Sequence, residues 1–191
     1  MDSRLRSAFM ISSLVMISLL FTTCDKKEDP DPCETVICLN GGTCVSGTCS
    51  CPKGYEGVQC EKRKTPVKIT INSITIDRFP ATNGGTNWDL FDGPDIYIAI
   101  GQGTTLIHLQ PTIFENADAS QTYIYYPNST LELVNPTAEH EIDIFDYDDG
   151  FSDEFMGGIL FTPYVSLLGF RDPIVLDVGD VAFSLDVSYT W

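Results

Sequence analysis

The chain has 191 residues and carries 27 acids against 11 bases, a formal net charge of −16. So acidic a chain excludes nucleic acid as its partner, because phosphate backbones are gripped by Lys and Arg patches and none occurs here. The length admits one large domain, or two small ones beside a targeting segment.

Arg4 and Arg6 precede an apolar run from Ala8 to Phe21. A membrane-spanning helix needs about 20 apolar residues, so this run suits a signal peptide better. Leu20-Phe21-Thr22-Thr23-Cys24 resembles a bacterial lipobox. The resemblance implies removal of residues 1–23 and lipidation of Cys24, which would hold the chain to a membrane. Asp25-Lys26-Lys27-Glu28-Asp29 resembles the signal that sends lipoproteins of Bacteroidota to the cell surface. The expected location is therefore the bacterial outer membrane, lipid-anchored and exposed. Residues 24–32, charged and bearing Pro30 and Pro32, read as a tether.

Six cysteines remain after Cys24: Cys33, Cys38, Cys44, Cys49, Cys51 and Cys60. An even set packed into so short an exported segment predicts three disulfides, since so few residues cannot bury an adequate core. Spacing alone leaves many connectivities open. A zinc site would need thiolates in a reducing compartment, which the leader argues against. Asn40-Gly41-Gly42-Thr43-Cys44, Cys49-Ser50-Cys51 and Cys51-Pro52-Lys53-Gly54-Tyr55-Glu56-Gly57 resemble an EGF-like domain over residues 33–61. That resemblance implies the pairs Cys33–Cys44, Cys38–Cys49 and Cys51–Cys60. The short gap between Cys44 and Cys49 lacks the residues of the family's calcium-binding members, so no calcium is assigned here, and a spacer role is expected.

Residues 62–66, charged and ending in Pro66, read as a linker. Beyond them apolar residues alternate at period two: Val67, Ile69, Ile71; Ile96, Ile98, Ile100; Ile142, Ile144; and Phe183, Leu185, Val187, Tyr189, Trp191. Gly, Pro, Asn and Asp clusters break the runs. The expected fold is all-β: a small disulfide-rich module, then an antiparallel β-sandwich over residues 67–191.

Residues 141–158, "EIDIFDYDDGFSDEFMGG", crowd acids beside apolar side chains. Phe145-Asp146-Tyr147-Asp148 and Glu154-Phe155-Met156-Gly157 resemble the third calcium loop of a C2 domain. Asp89 and Gly93-Pro94-Asp95-Ile96-Tyr97-Ile98 resemble its partner loop. The resemblance implies calcium held by Asp89, Asp95, Asp146 and Asp148, with either Glu154 or Asp153 completing the set. It also makes Leu90, Phe91 and Phe151 candidate apolar tips that could enter an interface.

His108 and His140 lack a nearby nucleophile motif, and so large an acid group suits a metal better than acid–base chemistry, so no catalysis is expected. Between Pro66 and Trp191 nineteen acids face only Lys68, Arg78 and Arg171, which disfavours anionic lipid. The expected function is calcium-dependent binding or adhesion toward an extracellular protein, glycan or lipid. Calcium-dependent binding to a phospholipid interface is the alternative.

Overall fold

The computed structural model describes residues 29–90 and 92–191. The chain divides into two units after Asp31, and Pro32–Trp191 is the one described here. The leader, Cys24 and Phe91 lie outside the described residues.

The first module is built on turns and bridges. Strands β1 (Thr43–Val45) and β2 (Thr48–Ser50) form a hairpin. Its two turn residues, Ser46 and Gly47, have φ of 49° and 82°. Two consecutive positive φ values are what a tight two-residue hairpin turn requires, and they fix the register that places Cys44 opposite Cys49. The bridges are Cys33–Cys44, Cys38–Cys49 and Cys51–Cys60. A second small hairpin joins β3 (Tyr55–Glu56) to β4 (Lys62–Arg63).

The expected linker is thus largely structured. Lys62 and Arg63 are strand, and the Lys64 amide donates to the Gly54 carbonyl at 2.8 Å. Only Thr65 and Pro66 separate this hairpin from the sandwich, where the Val67 amide already bonds the Thr190 carbonyl at 2.8 Å.

The sandwich follows as β5 (Lys68–Arg78), β6 (Ile96–Gln102), β7 (Thr105–Leu109), β8 (Tyr123–Tyr125), β9 (Leu131–Leu133), β10 (His140–Asp146), β11 (Glu154–Phe161), β12 (Ile174–Val178) and β13 (Val181–Thr190). One sheet has the order β11-β10-β6-β7; the other has β12-β13-β5-β8, with β9 also on β5. All pairings are antiparallel. The inward faces share one core, in which Ile69, Ile74, Ile98, Ile144, Phe183 and Leu185 are fully buried. Alternation at period two is why these β-branched and aromatic residues bury one face of each strand.

In β5 the alternation changes phase, burying Ile69 and Ile71 and then Ile74 and Ile76. A bulge opposite Asp186–Val187 leaves Asn72 unpaired and restores the inward face. Val67 and Trp191 depart from the expected core face, whereas Tyr189 stays packed against it. Val67 is exposed, and Trp191, just past the end of β13, reaches the first module.

Trp191 stacks near Tyr189 at 6.0 Å and meets Phe170 edge-on at 5.2 Å, while Tyr55 meets Phe170 at 5.7 Å. The Trp191 indole Nε1 donates to the Lys64 carbonyl at 3.2 Å. Gly54 is buried at φ 84°, and a Cβ there would lie 2.7 Å from the indole. No other residue type fits that turn beneath the ring. Arg63 adds a bond to the Ser166 carbonyl at 3.1 Å.

Candidate metal centre

The end of the sandwich opposite this aromatic contact gathers the acids. β5 ends there at Arg78, β6 begins there at Ile96, β10 ends there at Asp146 and β11 begins there at Glu154. Register puts Asp146 between Ile96 on one side and Glu154 on the other.

Hydrogen bonds tie the segments together around it. Asp146 Oδ1 accepts the Asp95 amide at 2.7 Å, and the Tyr147 amide donates to the Asp95 carbonyl at 2.8 Å. Asp95 Oδ1 accepts the Asn116 amide at 2.7 Å. The Ala117 amide donates to the Pro94 carbonyl at 2.7 Å, and a Cβ on Gly93 would lie 2.6 Å from the Ala117 carbonyl. A third segment, residues 115–118, therefore braces the site. Sequence reasoning missed it, although Asn116 at φ 53° is the residue type that tolerates such a turn.

Asp146 is 0 % exposed, yet its Oδ2 has no hydrogen-bond partner. Burial pushes its carboxyl up to about 6; the Asp95 amide opposes this, while Asp89, Asp148 and Asp95 add to it. Asp89 is also held above the usual carboxylate range, first by burial and then by Asp92, Asp95, Asp148 and Glu154. The fields of Asp89, Asp95, Asp146, Asp148 and Glu154 thus overlap, and Asp92 joins them unforeseen.

Asp153 does not. Its Oδ2 accepts the Tyr97 hydroxyl at 2.6 Å, and burial, with this bond adding, raises the Tyr97 phenol above its ordinary range. Strand alternation explains the split, since neighbours in an extended segment face opposite sides of the sheet. Of the two alternatives for the last ligand, Glu154 adds to the field at Asp89, while Asp153 bonds Tyr97 through one oxygen and meets the Asp148 amide at 3.5 Å through the other.

A cleft of about 360 Å³ opens over these acids, lined by Trp88, Asp89, Asp92, Asp148, Leu90 and Phe151 among others. Leu90 is 89 % and Phe151 85 % exposed. Among the described residues, no three His, Cys, Asp or Glu side chains form a ready-made metal-binding group. What fits a cation is the donor set and the partnerless Oδ2: a buried carboxylate oxygen costs free energy until something positive or a proton meets it.

The histidines take structural places. His108 Nε2 contacts the Tyr125 hydroxyl at 2.9 Å, and burial lowers the His108 pKa. The His140 ring contacts the Ala138 carbonyl through Nδ1 at 3.0 Å.

Residues 33–60 match the family of EGF-like domains. They are an EGF-like domain. Over 54 residues the chain is 37 % identical to Netrin-G2 of Homo sapiens, covering 27 % of this chain and 10 % of that protein. A 36-residue stretch is 56 % identical to the versican core protein of Rattus norvegicus, covering 17 % of this chain and 1 % of that one. Over 60 residues it is 37 % identical to Delta-like protein 3 of Mus musculus, covering 29 % and 9 %. The chain thus spans a tenth or less of the length of these relatives. Among solved structures, one described as a C2 domain superposes with TM-score 0.42 at 12 % identity, over 64 % of this chain and 96 % of that one. BON1-C2B does so with TM-score 0.40 at 14 % identity, over 65 % and 92 %.

Proposed function

We propose that this protein is a non-catalytic binding or adhesion module that uses calcium at the acid end of a C2-like sandwich and is held at a bacterial surface by a lipid on Cys24. The observation that carries this reading is the buried, partnerless Oδ2 of Asp146, surrounded by acids from two loops. Calcium takes six to eight oxygens at about 2.3 to 2.6 Å and accepts carboxylates and carbonyls alike, which is the chemistry this set offers. Asp89, Asp95, Asp146, Asp148 and Glu154 would hold it. The three disulfides support an oxidising, exported setting.

The test is calorimetry of the disulfide-bonded chain with calcium, alongside thermal melting, for wild type and an Asp146→Asn/Asp148→Asn variant. Saturable binding that raises the melting temperature and is lost in the variant supports the reading. Absence of binding at millimolar calcium removes it.

A second reading, calcium-dependent contact with a phospholipid interface, is favoured by the exposure of Leu90 and Phe151 at the mouth of the cleft. Liposome flotation with calcium, repeated after Leu90→Ala and Phe151→Ala, separates the two. Only an interfacial role predicts flotation that these changes abolish.

A further inference from the structure

The solvent faces of the two sheets differ in kind. On the five-stranded sheet Thr70, Asn72, Ser73, Thr75, Ser184 and Ser188 make an ordinary hydroxyl-rich surface. On the four-stranded sheet the outward residues of β10 are Glu141, Asp143 and Phe145. Beside Phe145 stand Tyr97, stacked at 5.4 Å, and Phe155, edge-on at 5.6 Å. Phe155 is 59 % exposed, and Leu160 and Leu109 are also exposed on neighbouring strands. An aromatic row thus crosses the sheet, with two carboxylates in line below it.

Small residues clear the space around those carboxylates. Glu141 faces Gly101, where a Cβ would lie 2.7 Å from Oε1, and Asp143 leans across Gly158 where any Cβ would collide with it. Ala99, opposite Asp143, completes a trough of about 190 Å³. Neither carboxylate has a cation on its own sheet, because β6, β7, β10 and β11 contain no Lys or Arg. The three bases of the sandwich are committed elsewhere. Lys68 pairs with Glu132 at 2.6 Å, Arg78 pairs with Asp177, and Arg171 donates to the carbonyls of Thr162 and Pro163. Burial, with Glu141 adding, holds the Asp143 carboxyl above its ordinary range. The charge on Asp143 is partly withdrawn from water, and among the described residues neither carboxylate has an ion-pair partner.

We infer that this face docks an extended basic segment of a partner polypeptide, with an apolar side chain on the Phe155–Phe145–Tyr97 row and Lys or Arg side chains on Asp143 and Glu141. Charge complementarity selects the bases, and the strand repeat sets their spacing. Phe145, Asp143 and Glu141 follow at every second residue, about 6.8 Å apart, and a partner lying along β10 presents its own side chains at the same interval. The segment therefore carries an apolar residue followed by bases at every second position. Carboxylates half withdrawn from water gain more from such pairing than exposed ones do.

The docking face shares β6, β10 and β11 with the acid end but does not require calcium, so the experiment is run in excess EDTA. The probe is Ac-Arg-Ser-Arg-Ser-Leu-Ser-Arg-Ser-Arg-NH2, which presents the pattern in either direction, titrated into the isotopically labelled chain and followed by amide chemical shifts. Expected are saturable shifts confined to β6, β10 and β11, weakened about tenfold by Glu141→Gln/Asp143→Asn and also reduced by Phe155→Ser. Asp177→Asn/Asp186→Asn, which removes equal charge from the other sheet, leaves the affinity unchanged. Equal weakening by both double variants would reduce the effect to net charge and overturn the proposal. So would absence of shifts at millimolar peptide, or shifts of the same amides by cellohexaose and not by the peptide.

Discussion

The two ends of the sandwich are built to opposite specifications. At the EGF-like end Tyr55, Phe170, Tyr189 and Trp191 meet ring to ring, the indole nitrogen has its carbonyl, and glycine makes room for the indole. At the acid end a buried carboxylate oxygen has no partner, and burial, with neighbouring acids adding, raises its affinity for a proton. One end has its polar atoms satisfied, and the other leaves a buried oxygen without a partner among the described residues. A protein can place both in one small domain because strands of the same sheets carry rigidity from the first to the second.

The largest effect is expected where the complete end is broken covalently. Cys51→Ser/Cys60→Ser opens the disulfide beside the β3–β4 hairpin, and loss of a native disulfide from so small a module costs about 2 to 5 kcal/mol. Thermal melting should show the EGF-like part lost first and the sandwich transition lowered, because the two share the Trp191 contact. If the sandwich transition does not move, the two modules are thermodynamically independent and the contrast between the ends loses its structural half.

Next is Trp191→Ala, which removes the ring above Gly54 and should destabilise the chain by about 2 to 3 kcal/mol. Limited proteolysis between residues 62 and 66 reports the same loosening. The aromatic contact is refuted as a clamp if cleavage there stays as slow as in wild type.

At the acid end the sign reverses. Asp146→Asn keeps an oxygen for the Asp95 amide and removes a buried charge, so in EDTA at neutral pH it should stabilise the chain by about 1 to 2 kcal/mol. The pH dependence follows from the raised carboxyl of about 6 against an ordinary 3.8. The folded state holds a proton that the unfolded state releases. The contribution of Asp146 is therefore fully present below about pH 4 and is lost as pH rises through about 6. Denaturant titrations at pH 5 and 7.5 should find wild type weakened at the higher pH and the Asn variant much less so.

The smallest effect is expected for Arg78→Ala. Its pair with Asp177 is exposed on both sides, and such pairs are worth about 0 to 1 kcal/mol. A larger loss would mean that charge matters in exposed pairs as well as among the buried acids.

Much of this was legible in the sequence for a physical reason. Period-two alternation reports burial directly, so Ile96, Ile98, Ile100, Ile142 and Ile144 fall in the core. The acids were visible as two groups about 50 residues apart because antiparallel pairing of β6 and β10 brings the start of one beside the end of the other. Less legible were features that depend on a third element. Asn116 braces Asp95 from a segment with no acid pattern, and Tyr97 claims Asp153 across the sheet. Trp191 carries the alternation of β13 one step past the strand's last residue, yet it serves the EGF-like domain, because the chain outlasts the core it covers. The phase change at Asn72-Ser73 in "ITINSITI" was written plainly, as two isoleucine pairs three residues apart instead of two.

The length and direction of β5 carry a mechanical consequence. Its 11 residues run from the EGF-like end to the acid end, a reach of about 36 Å. It lies antiparallel to β13 through nine register pairs. Ladder hydrogen bonds stand perpendicular to the strands. A pull applied between the EGF-like end and the acid end would act along the strands and load those bonds together in shear, where a transverse load would peel them one at a time. A fold that spaces its two ends in this way resists such a pull better than one loaded across its strands.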